Sequence, residues 1–415
     1  MAIIIKFLIP LYFLFFLLVR GATDAGLLVF TVLGIFCLAS PAARVRAFAG
    51  IGGWTRQDTF VSLAVSSVFI FKLTSTLWAA TPRLAVENAI WHAYLITWPL
   101  VFIAISFCQP KLDQALQALA WGLILIGVWD MFALLNEGIP QYHQGASFTM
   151  NKGILAELVL IAGSWLLIAA TSDDQKINKQ SRFLFVAAIL CAWVVLYTTD
   201  RRTEWIGFFI ITVIIGFWRI RHLLNLTRSL ALFAGLMVIG VAFLYLRQER
   251  LLLAYNEALQ YFSQADKTNS IAITTAVGAR LEMYRLGISA FLDNPILGMS
   301  AGVRPDLLPQ YGGGGLGGEQ FHHRHFHSEF VQALVEGGIV WAMTFLIAIV
   351  YFIRKFILES FKTQGLASVL AFGLVASFVL AGSFSASLIY NQPIAAFVVF
   401  SAFLWAIIRS NRTKI

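Results

Sequence analysis

The 415-residue chain is 59% hydrophobic and only 12% charged, with a mean hydropathy of +0.79, which leaves too little polar surface for a water-soluble globule. Its net charge of +9 at pH 7 is spread as a membrane-topology signal, so it does not point to a nucleic-acid partner. Segments crossing hydrocarbon must satisfy their own backbone polar groups, and apolar runs of this length read as helices rather than barrel strands.

The expected fold class is therefore an all-α integral membrane protein with about twelve transmembrane helices. The apolar spans fall near residues 3–19, 26–40, 59–80, 89–107, 115–136, 153–171, 183–199, 205–218, 229–246, 338–353, 366–389 and 393–408. The first follows Lys6 in the manner of a signal peptide, yet lacks a small-residue cleavage site and reads as a retained helix. Alternate connections differ sharply in charge. One set carries most of the basic residues, from Arg44, Arg46 and Arg56 through Arg409, Arg412 and Lys414. The short connections of the other set hold only Arg20, Arg83, Lys152, Arg201 and Arg202. By the positive-inside rule both termini are expected in the cytoplasm. Cys37, Cys108 and Cys191 fall in or at the ends of spans without CxxC spacing, so neither a disulfide nor a metal site is expected from them.

The apolar pattern breaks over 247–336, on the outer side. This divides the chain into a bundle over 1–246, a loop segment over 247–336 and C-terminal helices over 337–415. A loop this long is usually functional or disordered, and amphipathic patterns within it argue for order. Leu281, Tyr284, Ile288 and Phe291 recur at helical spacing, predicting one apolar face. Asp293-Asn294-Pro295 then stops that helix, and Gly298 and Gly302 punctuate the following turn. A glycine-rich run over 312–318 leads into His322-His323-Arg324-His325-Phe326-His327, where four of the seven histidines lie together. The helical pattern from Ser328 to Glu336 places His327 in or beside the first turn of a helix entering the membrane.

The histidine cluster admits three readings: solvated loop residues, a transition-metal site, or a general base that needs a neutral imidazole near working pH. A helix N-terminus disfavours the imidazolium, which gives His327 a reason to stay neutral. Arg201 and Arg202 stand against the positive-inside bias. They read either as ion-pair partners of Asp200 and Glu204 or as ligands of an anion, since guanidinium binds phosphate through two parallel hydrogen bonds. Arg280 and Arg285 project about 140° apart on a helix. Arg285 can pair with Glu282 three residues away, while Arg280 has no local partner and is the stronger functional cation. Arg304 and Arg324 are weaker outer cations. No P-loop, GxGxxG or nucleophile elbow appears. The chemistry that fits is transfer from a lipid-linked phosphate donor.

Three segments carry a resemblance. Asp200-Arg201-Arg202-Thr203-Glu204-Trp205 is similar to a Ser-Arg-Gly-x-Trp element with Arg202 at the arginine, although Asp200-Arg201 departs from the serine context. Gly278-Ala279-Arg280 through Asn294-Pro295-Ile296-Leu297-Gly298 resembles an arginine helix ending in an Asn-Pro-Leu-Leu-Gly turn. His327-Ser328-Glu329-Phe330-Val331-Gln332, with Glu336-Gly337-Gly338 following, looks like a His-Asn-x-Phe-Leu-Gln pattern with its trailing Glu and Gly. In this order they resemble the O-antigen ligase and polymerase superfamily of bacterial envelopes.

That resemblance implies a metal-independent glycosyltransferase without a cofactor, in the bacterial inner membrane with its active site on the periplasmic side. It implies an undecaprenyl-pyrophosphate-linked O-antigen as donor. The pyrophosphate would be held by Arg202 and Arg280, with Arg201 and Arg285 as weaker candidates and Arg304 and His325 as possible accessories. His327 would act on the acceptor hydroxyl, which in the ligase branch belongs to the lipid A core oligosaccharide. Helix count, one late outer loop and a short C-terminus favour ligase over polymerase or a protein O-glycosyltransferase. A secondary transporter is the competing class, for which Lys72, Asp130 and Glu157 are the intramembrane ionisable residues and for which no repeat is visible.

Overall fold

The structure, a computed structural model, describes residues 2–137, 151–172, 174, 177–199, 201–222, 248–263, 271–305, 308, 325–363, 365–385, 388 and 390–412, with scattered positions between 227 and 245. No strand occurs among them. The helices are α1 (Ala2–Phe15), α2 (Ala22–Ala39), α3 (Pro41–Ala49), α4 (Arg56–Ser75), α5 (Pro82–Trp91), α6 (Trp98–Cys108), α7 (Leu112–Glu137), α8 (Lys152–Ala170), α9 (Lys179–Thr199), α10 (Arg202–His222), α11 (Gln248–Ser263), α12 (Ala276–Asp293), α13 (Glu329–Thr363), α14 (Leu366–Phe384) and α15 (Asn391–Arg412).

Among the described residues nine helical segments are long and apolar enough to cross a membrane. One of them, Pro82–Cys108, is α5 and α6 joined by a 3-10 turn over His92–Thr97. The remaining expected spans differ for local reasons. Helix α1 has only 14 residues. The predicted span 205–218 is a longer helix, α10, because Arg202 and Glu204 at one end and Arg219 and Arg221 at the other extend it with polar turns. The expected span 229–246 lies largely outside the described residues. The chain is an all-helical, multi-pass membrane protein.

Two helices form the axis of the bundle. The apolar stretch of α8 is 94% buried and that of α15 is 89% buried, whereas α2 is only 28% buried and shows the rest to lipid. Phe13, Trp165, Phe400 and Phe403 interlock around this axis with ring centroids 4.5–6.4 Å apart, close enough for edge and tilted aromatic packing.

Helix α4 is pinned at both ends. At its start, Asp58 Oδ2 accepts the Thr55 amide at 2.6 Å and the Thr55 hydroxyl at 2.7 Å in a capping box. The other carboxylate oxygen, Oδ1, receives Trp405 Nε1 at 2.7 Å and lies 3.2 Å from Arg409 Nε. At its far end, Lys72 Nζ meets Glu336 Oε2 of α13 at 2.5 Å, both side chains being almost fully buried, and also donates to Asn88 Oδ1 at 3.1 Å. Ser75 Oγ accepts the Ala301 amide at 3.0 Å. The turn after α12 is thereby tied to the bundle.

That turn grips a break in α13. Gly338 has φ 59° and ψ −155°, a conformation reserved for glycine, and interrupts the helical ladder there. The freed amides are taken up by the turn: Ile339 N–H donates to Pro295 O at 2.8 Å and Val340 N–H to Ile296 O at 3.3 Å. In return Met299 N–H and Ser300 N–H donate to Val335 O at 2.7 Å and Glu336 O at 2.8 Å. Gly298 (φ 62°) permits this approach, since a Cβ there would stand 2.5–2.6 Å from the backbone of Glu336 to Gly338. Helix α12 ends at Asp293 as expected, but its buried face is a different one. Ala279, Met283, Leu286, Gly287 and Ala290 are buried, whereas Ile288 is 49% exposed. That face is set by Gly287, where α12 closes on Phe326, Val331 and Val335 and a larger side chain would hold the helices apart.

Two outcomes follow for detergent-solubilised protein. Lys72→Met leaves the Glu336 carboxylate buried without its cation and is expected to cost about 3–5 kcal/mol, read as a lowered thermal unfolding midpoint. An unchanged midpoint would show that the pair carries no weight. Gly338→Ala forces a Cβ against Pro295 O and an unfavourable φ, with an expected loss of about 1–3 kcal/mol; wild-type stability in that variant would mean the break is dispensable.

Candidate functional site

The arginine pair lies between α9 and α10, where the polar sequence Thr198 to Glu204 interrupts two apolar helices. Arg202 opens α10. The Arg201 guanidinium rests on the backbone of Gly153 at the start of α8; a Cβ there would lie 2.7 Å from Arg201 Cζ and 2.9 Å from Nε. Asn151 caps α8 by accepting the Gly153 amide at 2.9 Å. Arg201 Nε is buried and has no hydrogen-bond partner among the described residues. The expected ion pair with Glu204 is not formed among these residues: Glu204 is fully buried, and its Oε2 accepts the neighbouring Thr203 hydroxyl. Asp200, the other expected partner, lies outside the described residues.

Helix α12 brings Arg280 to the same place. Its start is fixed by Thr275 Oγ1, which accepts the Gly278 amide at 3.0 Å, and by Glu257 of α11, which accepts the Val277 amide at 3.0 Å. Arg280 is half-buried, and its guanidinium is held below its ordinary value. Burial is the first cause and the positive charge of Arg201 the second, with Arg202 adding to them and Tyr284 and Glu204 acting in the opposite sense. Cations from two distant stretches of sequence thus lie near enough for the charges of Arg201 and Arg202 to act against that of Arg280. Arg285 behaves differently, as its spacing suggested. Its Nε and Nη2 donate to Glu282 at 2.9 and 2.6 Å, and Glu282 also accepts the Tyr261 hydroxyl at 2.8 Å. That pairing raises the Arg285 guanidinium above its ordinary value.

The histidine segment is built from the start of α13. Phe326 is fully buried, and its amide donates to Gln332 Oε1 at 3.1 Å. Gln332 Nε2 donates onward to Glu336 Oε1 at 2.8 Å and to Val303 O at 3.2 Å. A chain of hydrogen bonds that begins at the Lys72–Glu336 pair therefore ends at Phe326, the residue before His327. His327 has φ 52°, in the left-handed region. His325 is buried, with its ring 4.1 Å from that of His327 in an edge-on arrangement. Tyr284, one turn beyond Arg280, donates its hydroxyl to the His327 carbonyl at 3.1 Å, joining the arginine helix to the histidine. Burial raises the Tyr284 phenol while the charge of Arg280 lowers it, with a net upward shift that keeps the hydroxyl a donor.

The structure therefore brings together Arg201, Arg202 and Arg280, and links them through Tyr284 to His327 and His325. Arg304 follows Val303 beside the third motif and is half-buried. His322, His323 and Arg324 lie outside the described residues. Among the described residues no group of three or more histidine, cysteine or acidic side chains is arranged to hold a metal ion. Of the ionisable residues that favoured a carrier, Lys72 is paired with Glu336 and Asp130 accepts the Thr198 hydroxyl at 2.7 Å. Glu157 is buried within α8. Sequence reasoning missed Gly153 as the seat of Arg201 and Tyr284 as a partner of His327. Only Gly153 carried a local signal, the Asn151-Lys152-Gly153 start of an apolar run.

Residues 187–346, which contain the arginine pair, α12, the turn and the start of α13, match the family described as O-Antigen ligase. The chain is also 26% identical over 329 residues to an O-antigen ligase of Escherichia coli (strain K12), covering 74% of this chain and 73% of that protein. Together with the all-helical membrane architecture, these matches support a likeness of the chain to the O-antigen ligase superfamily.

Proposed function

We propose that this protein is an O-antigen ligase that transfers a glycan from undecaprenyl pyrophosphate to a hydroxyl of the lipid A core oligosaccharide. The reaction takes place on the periplasmic side of the bacterial inner membrane, with both termini cytoplasmic and 247–336 as the outer catalytic segment. The observation that carries this reading is the gathering of Arg201, Arg202 and Arg280 against their mutual repulsion, tied through Tyr284 to His327. Like charges assembled in a half-buried site are stabilised by an anion. The donor diphosphate, esterified at both ends, brings two negative charges against the three guanidiniums, and α8 and α10 also begin beside them, so their positive ends add to the attraction.

In this mechanism the donor diphosphate lies against Arg202 and Arg280, with Arg201 supporting from its seat on Gly153. His327 takes the proton of the acceptor hydroxyl as that oxygen forms a bond to the anomeric carbon. The bond from that carbon to the diphosphate oxygen breaks, undecaprenyl pyrophosphate leaves, and direct displacement inverts the carbon. The arginines stabilise the charge that develops on the leaving oxygen, where preorganised cations contribute most. Arg285, occupied by Glu282, supports the helix rather than the ligand. Polymerase chemistry uses the same donor groups, and the assay below separates it by product.

The test is transfer by purified protein supplied with undecaprenyl-pyrophosphate glycan and lipid A core, followed by gel shift of the core. His327→Ala at equal protein level is expected to lower turnover by about 10²–10⁴-fold, the usual contribution of a general base. Retained wild-type ligation in that variant would remove His327 from the role, and growth of the donor glycan without core modification would make the protein a polymerase. Gly153→Ala is expected to displace the Arg201 guanidinium and raise the donor KM by about tenfold, the scale of one lost charged hydrogen bond. An unaltered donor KM would show that Arg201 does not touch the donor.

A further inference from the structure

We infer that Tyr284 and Tyr390 are positioning residues that hold His327 in its working conformation from two sides. The inference rests on the reading of His327 as the base. A non-glycine residue with positive φ stays there only when its surroundings dictate it, and the backbone of His327 is held at both of its polar groups. Its carbonyl accepts the Tyr284 hydroxyl at 3.1 Å. Its amide donates to His325 Nδ1 at 3.2 Å. Because Nδ1 is the acceptor, the neutral His325 ring carries its proton on Nε2. That nitrogen faces the Tyr390 hydroxyl oxygen at 3.4 Å, so Tyr390 sets the ring that sets the amide. Tyr390 is itself anchored: two residues earlier, the Leu388 amide donates to Glu329 Oε1 at 2.6 Å, and Glu329 is buried two residues after His327.

The arrangement couples three parts of the chain at one residue. Tyr284 comes from the helix that carries Arg280, Tyr390 from the connection between α14 and α15, and His327 from the start of α13. A rotation of the His327 peptide moves the imidazole relative to the arginines, and a displacement of about 1 Å at a reacting group costs on the order of a hundredfold in rate. Neither tyrosine touches the donor in this scheme, so their loss is felt in turnover and not in donor binding.

The experiment compares Tyr284→Phe and Tyr390→Phe, each removing one hydroxyl, with the wild type in the core-ligation assay, alone and in a His327→Ala background. Each single substitution is expected to lower kcat at least about tenfold with the donor KM changed less than about twofold. In the His327→Ala background, either substitution is expected to leave the residual rate unchanged, because the group they position is gone. Wild-type kcat in both phenylalanine variants would overturn the proposal, as would an equal further loss in the His327→Ala background, which marks a general structural effect. Full activity of His327→Ala itself would instead overturn the base assignment, and the positioning role with it. The tyrosines lie on separate elements, so poor folding of one variant leaves the other to decide.

Discussion

The site depends on a broken helix. At Gly338 the ladder of α13 opens inside the protein, and the backbone groups it releases are costly to leave unpaired in a membrane. The Pro295–Ser300 turn supplies the partners, and the Lys72–Glu336 pair locks the same region to α4. A helix without the break would leave Pro295 O and Ile296 O without the Ile339 and Val340 amides, and the turn would have no seat. The arginine helix α12 precedes that turn directly, so the position of Arg280 is inherited from the glycine conformation nearly 60 residues away.

From Glu336 a continuous set of hydrogen bonds runs through Gln332 to Phe326, the residue before His327. This ordering turns a segment that begins in a glycine-rich loop into a fixed platform. A buried ion pair is a poor source of net stability, because desolvation offsets most of its attraction. Its value here is geometric: Lys72 and Glu336 satisfy one another only in one register of α13 against α4.

Against this rigid background the arginine cluster stands out as an electrostatic conflict. Elsewhere the protein neutralises several of its buried charges: Arg285 has Glu282, Lys72 has Glu336, and Arg409 has Asp58. At Arg201, Arg202 and Arg280 it does not, and Glu204, the nearest acidic residue on α10, is turned to Thr203. Gathered like charges of this kind are the feature on which the proposed donor site rests.

The sequence by itself determined the fold class, most of the long apolar spans and the end of the arginine helix at Asp293, because these depend on local composition and on the few residues that stop a helix. It also separated Arg280 from Arg285, since an acid three residues away on a helix is a local fact. The tertiary structure decided what required distant stretches to meet. It showed Arg201 seated on Gly153, Glu204 withdrawn from Arg201, and His327 clasped by Tyr284. It also showed Ala279, Met283, Leu286, Gly287 and Ala290, rather than Leu281 and Ile288, on the packed face of α12. Hydropathy ranks residues by size and polarity, whereas close helix packing selects for absence of bulk, and no periodicity in one segment reveals which neighbour it must approach.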